Sequence, residues 1–166
     1  MISNHSFETL FDLYYEKVYR STYLIIQNEG IAQDATQEAF IEAFKNLDKL
    51  RNKEKFPAWV AVIASNKAID ILRKNRKLFL VHNIDDFIPN ISPLTPDVVL
   101  IKKETSDELV LQLKQLSVIY REVIVLRYFH NLQDSEIATI LNLPLGTVKS
   151  RLHRAKIILR KKMSTL

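Results

Sequence analysis

Apolar residues recur at steps of three and four along most of the chain, which is the period of an amphipathic α-helix. The pattern predicts a first helix over residues 6–27 with Ser6 as its N-cap, a second over 33–50 and a third over 56–80. The apolar face of the first helix contains Phe7, Leu10, Phe11, Tyr14 and Val18. The outward face of the second helix is acidic, so we expect a helical bundle with a charged outer surface.

Between residues 78 and 105 the helical period is lost. Pro89, Pro93 and Pro96 interrupt this segment, and a proline inside a helix removes a backbone hydrogen bond. A stretch of this length without regular structure is uncommon inside one compact domain. We therefore interpret 78–105 as a linker between two helical domains, with apolar residues that dock on a neighbouring surface.

The helical period resumes at residue 106 and continues in a helix over 117–129. A short helix over 134–141 follows, and a longer amphipathic helix begins after a break at 142–144. Two helices joined by so short a turn are typical of a helix-turn-helix, whose second helix enters the major groove of DNA.

The last helix separates packing residues from exposed ones when its positions are projected at about 100° per residue. The inward stripe is predicted to contain Val148, Leu152, Ala155 and Leu159. The opposite face is predicted to contain Gly146, Ser150, His153 and Arg154. Further positive charge comes from Lys149, Lys156, Arg160, Lys161 and Lys162. Backbone N–H groups at the start of this helix can also hold a phosphate.

The composition predicts an all-α protein. Of the 166 residues, 47% are hydrophobic and 26% charged, as in a folded protein, but only two are glycine and five proline. So few turn formers argue against a β-sandwich. The absence of cysteine excludes disulfides and cysteine-ligated zinc. Neither a secretory leader nor a run of about 18 apolar residues is visible, so we expect a cytoplasmic protein.

The positive charge is concentrated in two places. From Asp134 to the end of the chain seven basic residues stand against two acidic ones, and this excess equals the net charge of +5 for the whole chain. Residues 67–77 hold five basic residues and one acid, Asp70. Charge segregated in this way favours a nucleic-acid partner, although a basic terminal helix without a ligand is the alternative.

Three stretches resemble bacterial extracytoplasmic-function (ECF) sigma factors of the sigma-70 family. Residues 116–155 are similar to region four of that family, above all in the run Gly146-Thr147-Val148-Lys149-Ser150-Arg151 followed by Arg154-Ala155. Residues 33–40 resemble the family's polymerase-docking helix, and residues 56–70 resemble its promoter-melting helix. The resemblance covers most of the chain, in the family's order.

The resemblance implies two small helical domains and a function in transcription initiation. A sigma-two bundle would span 6–77, a Pro-containing linker 78–105 and a sigma-four domain 106–163. The protein would give core RNA polymerase its promoter specificity and would catalyse no reaction itself. Its partners would be core RNA polymerase, promoter DNA and an anti-sigma factor, which can be membrane-anchored; no cofactor or metal is implied.

The resemblance also assigns three sets of binding residues. Core polymerase would meet Asp34, Gln37 and Glu38. The minus-ten promoter element would meet Asn66, Lys67, Asp70, Arg73, Lys74 and Arg76, with Asn66 capturing a base. The minus-thirty-five element would meet Thr147, Lys149, Ser150, Arg151, His153, Arg154 and Lys156.

Simpler structural roles remain open for two of these positions, and Trp59 has two alternative roles as well. Arg151 lies near the packed flank of its helix, where a structural ion pair is an alternative. Asp70 can pair within its helix with Lys67 or Lys74. Trp59 fits a core position as well as a stacking platform for a base.

Two other classes of protein are alternatives for the whole chain. A stand-alone helix-turn-helix regulator would bind its DNA site without polymerase. An enzyme on a helical bundle is disfavoured because the four histidines are scattered and neither glycine belongs to a phosphate-binding loop.

Overall fold

The computed structural model describes the backbone of residues 4–77 and 111–164, and side chains within 6–74 and 111–161. The chain divides near residue 79 into two compact units. All regular structure in the described residues is helical, which confirms the predicted fold class. The predicted linker, 78–105, lies outside the described residues.

The first unit contains three long helices. They are α1 (Asn4–Ile26), α2 (Glu29–Lys45) and α3 (Phe56–Lys77), with short 3-10 turns at Leu47–Lys49 and Lys53–Lys55. The first of these turns replaces the end of the second helix that the sequence predicted. Ser6 lies inside α1 and is therefore not its N-cap.

The junction between α1 and α2 is tighter than the sequence predicted. Gln27 adopts a positive φ of 61°, which ends α1 after its N–H has bonded to the Tyr23 carbonyl at 2.7 Å. Asn28 is the N-cap of α2, and its side-chain oxygen accepts a hydrogen bond of 3.0 Å from the Ile31 N–H. This cap starts α2 four residues before the predicted position.

An aromatic and alanine core holds the first unit together. Phe40 of α2 and Phe56 of α3 are both 1% exposed, and their ring centroids lie 6.1 Å apart. The buried cluster consists of Val18, Ala39, Phe40, Ala43, Phe56, Val60, Ala61 and Ala64. Small alanines on α2 and α3 allow the two backbones to approach closely, so the helices pack as one body.

The second unit contains the predicted helix-turn-helix. Its helices are α4 (Val118–Ile124), α5 (Asp134–Leu141) and α6 (Leu145–Ser164). α4 continues into a π-helical turn at Val125–Phe129, whose wider spacing the sequence pattern did not predict. There the His130 N–H bonds to the Val125 carbonyl at 3.1 Å, five residues back.

A residue in the left-handed backbone conformation forms the turn between α5 and α6. Asn142 has φ 54° and ψ 48°, a conformation that asparagine tolerates better than most residues. The Leu143 N–H then bonds to the Ala138 carbonyl at 2.9 Å, and the Pro144 carbonyl accepts from Thr147 at 3.0 Å. The turn thus ends one helix and starts the next within three residues, as predicted.

Within residues 4–77 and 111–164, no helix combines the length and the apolar character that crossing a bilayer needs.

Candidate functional site

The two faces of α6 lie as the sequence predicted, except that Leu159 is only half-buried. Val148 and Ala155 are fully buried and Leu152 is 4% exposed, because they pack against the preceding helices. The exposed face contains Gly146, Ser150, His153 and Arg154. A Cβ atom built on Gly146 would meet no atom within 4 Å, so this end of the helix is open to a ligand.

Cations surround that exposed face. Lys149 and Lys156 are exposed and Thr147 is half-buried in the first turn. No acidic residue occurs in α6. A helix with this charge and an open N-terminus can bind phosphates along its sides and present polar side chains to base edges.

Arg151 lies apart from this exposed set. It is half-buried, and its positive charge acts on Glu122 of α4. Burial raises the pKa of Glu122 to about 7, and Arg151 opposes that rise. Arg151 therefore acts by its charge on the interior of this unit, and its assignment to DNA stays a prediction.

Adjacent buried charges on α4 were not predicted. Arg121 is 3% exposed and Glu122 is 7% exposed. Burial lowers the pKa of Arg121 to about 10. The signal in the sequence was a pair of charged residues inside the otherwise apolar run of α4, where helical spacing turns them toward the core.

In the first unit, α2 exposes the three residues assigned to polymerase binding. Asp34, Gln37 and Glu38 are all exposed. Ile41 lies on the same side of the helix, and 54% of its surface is exposed. Sequence reasoning had not included Ile41, although an apolar residue between exposed polar ones on a helix face was a visible signal.

The residues assigned to minus-ten DNA lie on α3. Asn66 and Asp70 are exposed one turn apart, and Arg73 and Lys74 are exposed after them. The side chain of Arg76 lies outside the described residues. These positions form a polar edge that can follow a DNA backbone.

Lys67 makes an ion pair that links α3 to α2. Its ammonium lies 2.6 Å from a carboxylate oxygen of Glu42. Asp70 is 3.9 Å from Arg73, so its partner is neither of the two lysines considered from the sequence. The pair of Lys67 with Glu42 brings a residue assigned to DNA next to α2, which holds the residues assigned to polymerase.

Trp59 packs against the core. It is half-buried, and its ring centroid lies 6.4 Å from that of Phe56. The core alternative therefore describes it better than a stacking platform for a base.

Among the described side chains, no group of three histidine, cysteine, aspartate or glutamate residues is placed to hold a metal ion. The chemistry offered by the exposed faces of α2, α3 and α6 is that of ionic and hydrogen-bonding surfaces.

Comparison with known proteins gives the family. Residues 10–78 match Sigma-70 region 2, and residues 106–159 match Sigma-70, region 4. The ECF RNA polymerase sigma factor SigW of Bacillus subtilis is 34% identical over 97% of this chain and 90% of its own length. The chain belongs to the ECF sigma factors of the sigma-70 family. The family expected from the sequence is thereby confirmed.

Other relatives agree with this assignment. RNA polymerase sigma factor SigV of Bacillus subtilis is 33% identical to this sigma factor, over 86% of this chain and 81% of its own. The sigma factor RpoE of Bartonella quintana, solved with the anti-sigma factor NepR, has a TM-score of 0.70 at 19% identity, with 96% and 97% of the chains covered. CnrH, solved with the cytosolic domain of CnrY, has a TM-score of 0.65 at 22% identity, with 98% and 90% covered. These two structures share its fold.

Proposed function

We propose that this protein is an alternative sigma factor that binds core RNA polymerase and directs it to a specific set of promoters. The observation that carries the proposal is the presence of both sigma regions, in order, in a chain similar to SigW over nearly its full length. The protein acts by binding, and the polymerase supplies the chemistry of RNA synthesis.

Polymerase binds the exposed face of α2 in this proposal. Asp34, Gln37 and Glu38 offer carboxylate and amide groups to basic residues of the polymerase's largest subunit, and Ile41 adds an apolar contact among them. Opposite charges speed such an encounter and fix its register. The apolar side chain contributes because docking removes it from water.

The minus-ten element binds α3. Asn66 captures an unstacked base through its amide, since an amide can both donate and accept hydrogen bonds. Arg73 and Lys74 follow the phosphate backbone. Lys67 and Asp70 begin from ion pairs with Glu42 and Arg73, so their contribution requires those pairs to open.

The minus-thirty-five element binds α6. Ser150, His153 and Arg154 meet base edges in the major groove, and Arg154 can bond a guanine bidentately. Thr147, Lys149 and Lys156 hold phosphates beside them. Arg151, which is half-buried on the opposite flank of the helix, adds positive charge to this surface.

An anti-sigma factor is part of the proposal. Support comes from the two similar structures, each of which was solved with a partner of its sigma factor, NepR or the cytosolic domain of CnrY. A partner covering α2 or α6 would block polymerase or promoter binding. Such a partner would hold this sigma factor inactive until a signal releases it.

Transcription in vitro tests the function directly. Purified core polymerase is combined with the chain on a library of promoter fragments, and the transcripts are sequenced. We expect transcripts from promoter fragments that share two motifs upstream of the start site. These transcripts should disappear when the protein is left out.

A mobility-shift assay with and without core polymerase distinguishes a sigma factor from a stand-alone helix-turn-helix regulator. A sigma factor binds promoter DNA strongly only with core polymerase present. Specific binding of the chain alone to a palindrome, with no effect of core polymerase, would identify a stand-alone regulator instead.

A further inference from the structure

Tyr128 is a large aromatic residue that the proposed function leaves unused. It is 60% exposed, although Val125 and Leu126 in the same π-helical turn are 2% and 0% exposed. Exposing a ring next to core residues forgoes hydrophobic stabilisation. Turns of this kind within helices are frequent at functional sites.

The ring of Tyr128 faces a cation on α6. The ammonium of Lys156 lies 5.8 Å from the ring centroid, within the range of a cation–π interaction. Such a contact favours one orientation of a long, flexible side chain. The ordering entropy that Lys156 would lose on binding a ligand is therefore already partly lost in the folded protein.

The position of this pair relative to the DNA-reading face follows from helical geometry. At about 100° per residue, Lys149, Lys156 and Arg160 fall on one flank of α6, between the buried stripe and the exposed face. All three are exposed. When the exposed face of a recognition helix lies in the major groove, its flanks lie beside the phosphates.

We propose that Tyr128 is a DNA-binding residue that holds, together with Lys156, one backbone phosphate of the upstream promoter element. The proposal rests on the function proposed for α6 and adds a contact from outside the helix-turn-helix. The Tyr128 hydroxyl donates a hydrogen bond to a phosphate oxygen, and the Lys156 ammonium supplies charge to the same group. One of its three N–H groups can point to the phosphate while the ammonium stays over the ring.

Charge complementarity supports a phosphate as the occupant. α6 contains no acidic residue, and the flank beside Tyr128 carries three cations. A phenol hydroxyl is among the groups that proteins use to contact DNA phosphates. Because such contacts carry no sequence information, Tyr128 fixes the position of α6 rather than its choice of bases.

The test is a phosphate scan on the holoenzyme. Full-length protein is combined with core polymerase, and the promoter is one selected by the transcription assay. Single phosphates of the upstream element are replaced by neutral methylphosphonates. The affinity of each DNA is measured for the wild type, Tyr128→Phe, Lys156→Gln and the control Lys114→Gln, which removes a lysine outside α6.

We expect one phosphate whose neutralisation weakens wild-type binding roughly threefold to tenfold, the size of one hydrogen bond. Tyr128→Phe should lose a similar factor and become insensitive to that same replacement. Lys156→Gln should do likewise and lower the salt slope by about 1. Lys114→Gln should keep the wild-type pattern. Thermal unfolding verifies that each variant is folded, and Tyr128→Phe retains the ring.

Two results would overturn the proposal. In the first, Tyr128→Phe matches the wild type at every substituted phosphate. In the second, Tyr128 and Lys156 respond to different phosphates. A wild-type holoenzyme that is insensitive to all upstream phosphates would remove the function proposed for α6, and this inference with it.

Discussion

Glu122 carries a carboxyl group into the core of the second unit, where ionisation is unfavourable. Its pKa is raised by burial from 4.5 to about 7, against the opposing effect of Arg151. The folded state therefore keeps its proton at pH values where the unfolded chain has lost it. The stability that Glu122 contributes is complete below pH 4.5 and is lost as the pH rises through 7.

This linkage gives a prediction for the stability of the second unit. Glu122→Gln replaces the carboxyl by a group that stays neutral, so the variant should avoid a loss of about 3 kcal/mol that the wild type suffers between pH 4.5 and 8. Thermal unfolding at a series of pH values measures the difference. The control is Glu38→Gln, which removes one exposed carboxylate from the other unit. An equal pH dependence in wild type and Glu122→Gln would contradict the burial effect.

Arg154 is the residue whose substitution should change promoter choice. It is exposed on the face of α6 that would enter the groove. Arg154→Ala should weaken binding of the holoenzyme to its preferred upstream element by about 1 to 3 kcal/mol and relax the sequence preference there. Competition binding with DNA altered at single base pairs measures both effects.

The matched control for Arg154 is Lys149→Ala, which removes a cation proposed to contact phosphate. This variant should weaken binding to all sequences by a similar factor. Uniform weakening by Arg154→Ala would show that Arg154 contacts the backbone and not a base.

At the scale of helices, the link between α2 and α3 has a consequence for DNA binding. Glu42 holds the Lys67 ammonium at 2.6 Å, with side-chain exposures of 49% and 27%. A pair this exposed contributes less than about 1 kcal/mol to stability. Removing Glu42 should leave the fold intact and free Lys67 for a phosphate.

Glu42→Gln should therefore strengthen binding of the holoenzyme to minus-ten DNA and steepen its salt dependence by about 1. Affinity measured over a range of potassium chloride concentrations tests this. Asp48→Asn removes a charge from the same unit without touching the pair and should behave as wild type. If Lys67→Gln weakens DNA binding equally in the wild type and in Glu42→Gln, Lys67 already contacts DNA in the wild type.

Helical periodicity was sufficient to predict which faces of α2 and α6 are exposed. Val148, Leu152 and Ala155 are buried because apolar positions at this spacing must share one stripe. The Glu42–Lys67 pair could not be predicted in the same way, since it joins two helices and depends on how they cross. Pairing rules within one helix predicted a partner for Asp70 in α3. The partner is Arg73, so the two lysines considered from the sequence were wrong.

Local deviations were harder to predict than helices. The π-helical turn at Val125–Phe129 shifts the register of the residues after it, and no residue pattern identifies such a shift. The early start of α2 could have been predicted, because Asn28 is a favoured capping residue, but Gly30 two residues later indicated a break. The roles assigned to the binding residues stay predictions, since they depend on partners.

For the whole molecule, the proposal assigns polymerase binding to α2 and promoter binding to α3 and α6. Glu38→Lys reverses one charge on the polymerase-binding face of α2 and should weaken assembly with core polymerase about tenfold or more, because it places like charges together. Fluorescence titration of labelled protein with core polymerase measures the assembly. Transcription should fall on every promoter alike.

A matched control separates the effect of where the charge lies from the effect of the protein's net charge. Glu8→Lys makes the same reversal at an exposed position on α1 and should assemble normally. Equal losses in the two variants would mean that net charge, and not the face of α2, governs assembly.

The alanines buried along α2 limit how far α2 can shift within the first unit. Ala32, Ala35, Ala39 and Ala43 are all fully buried, and none has a side chain that can change rotamer. Ala39 and Ala43 belong to the buried cluster that α2 shares with α3, so the two helices have little room to shift against each other. In the proposed function, α2 binds polymerase and α3 opens the promoter, so a substitution that loosens this packing should weaken promoter opening without altering either contact surface.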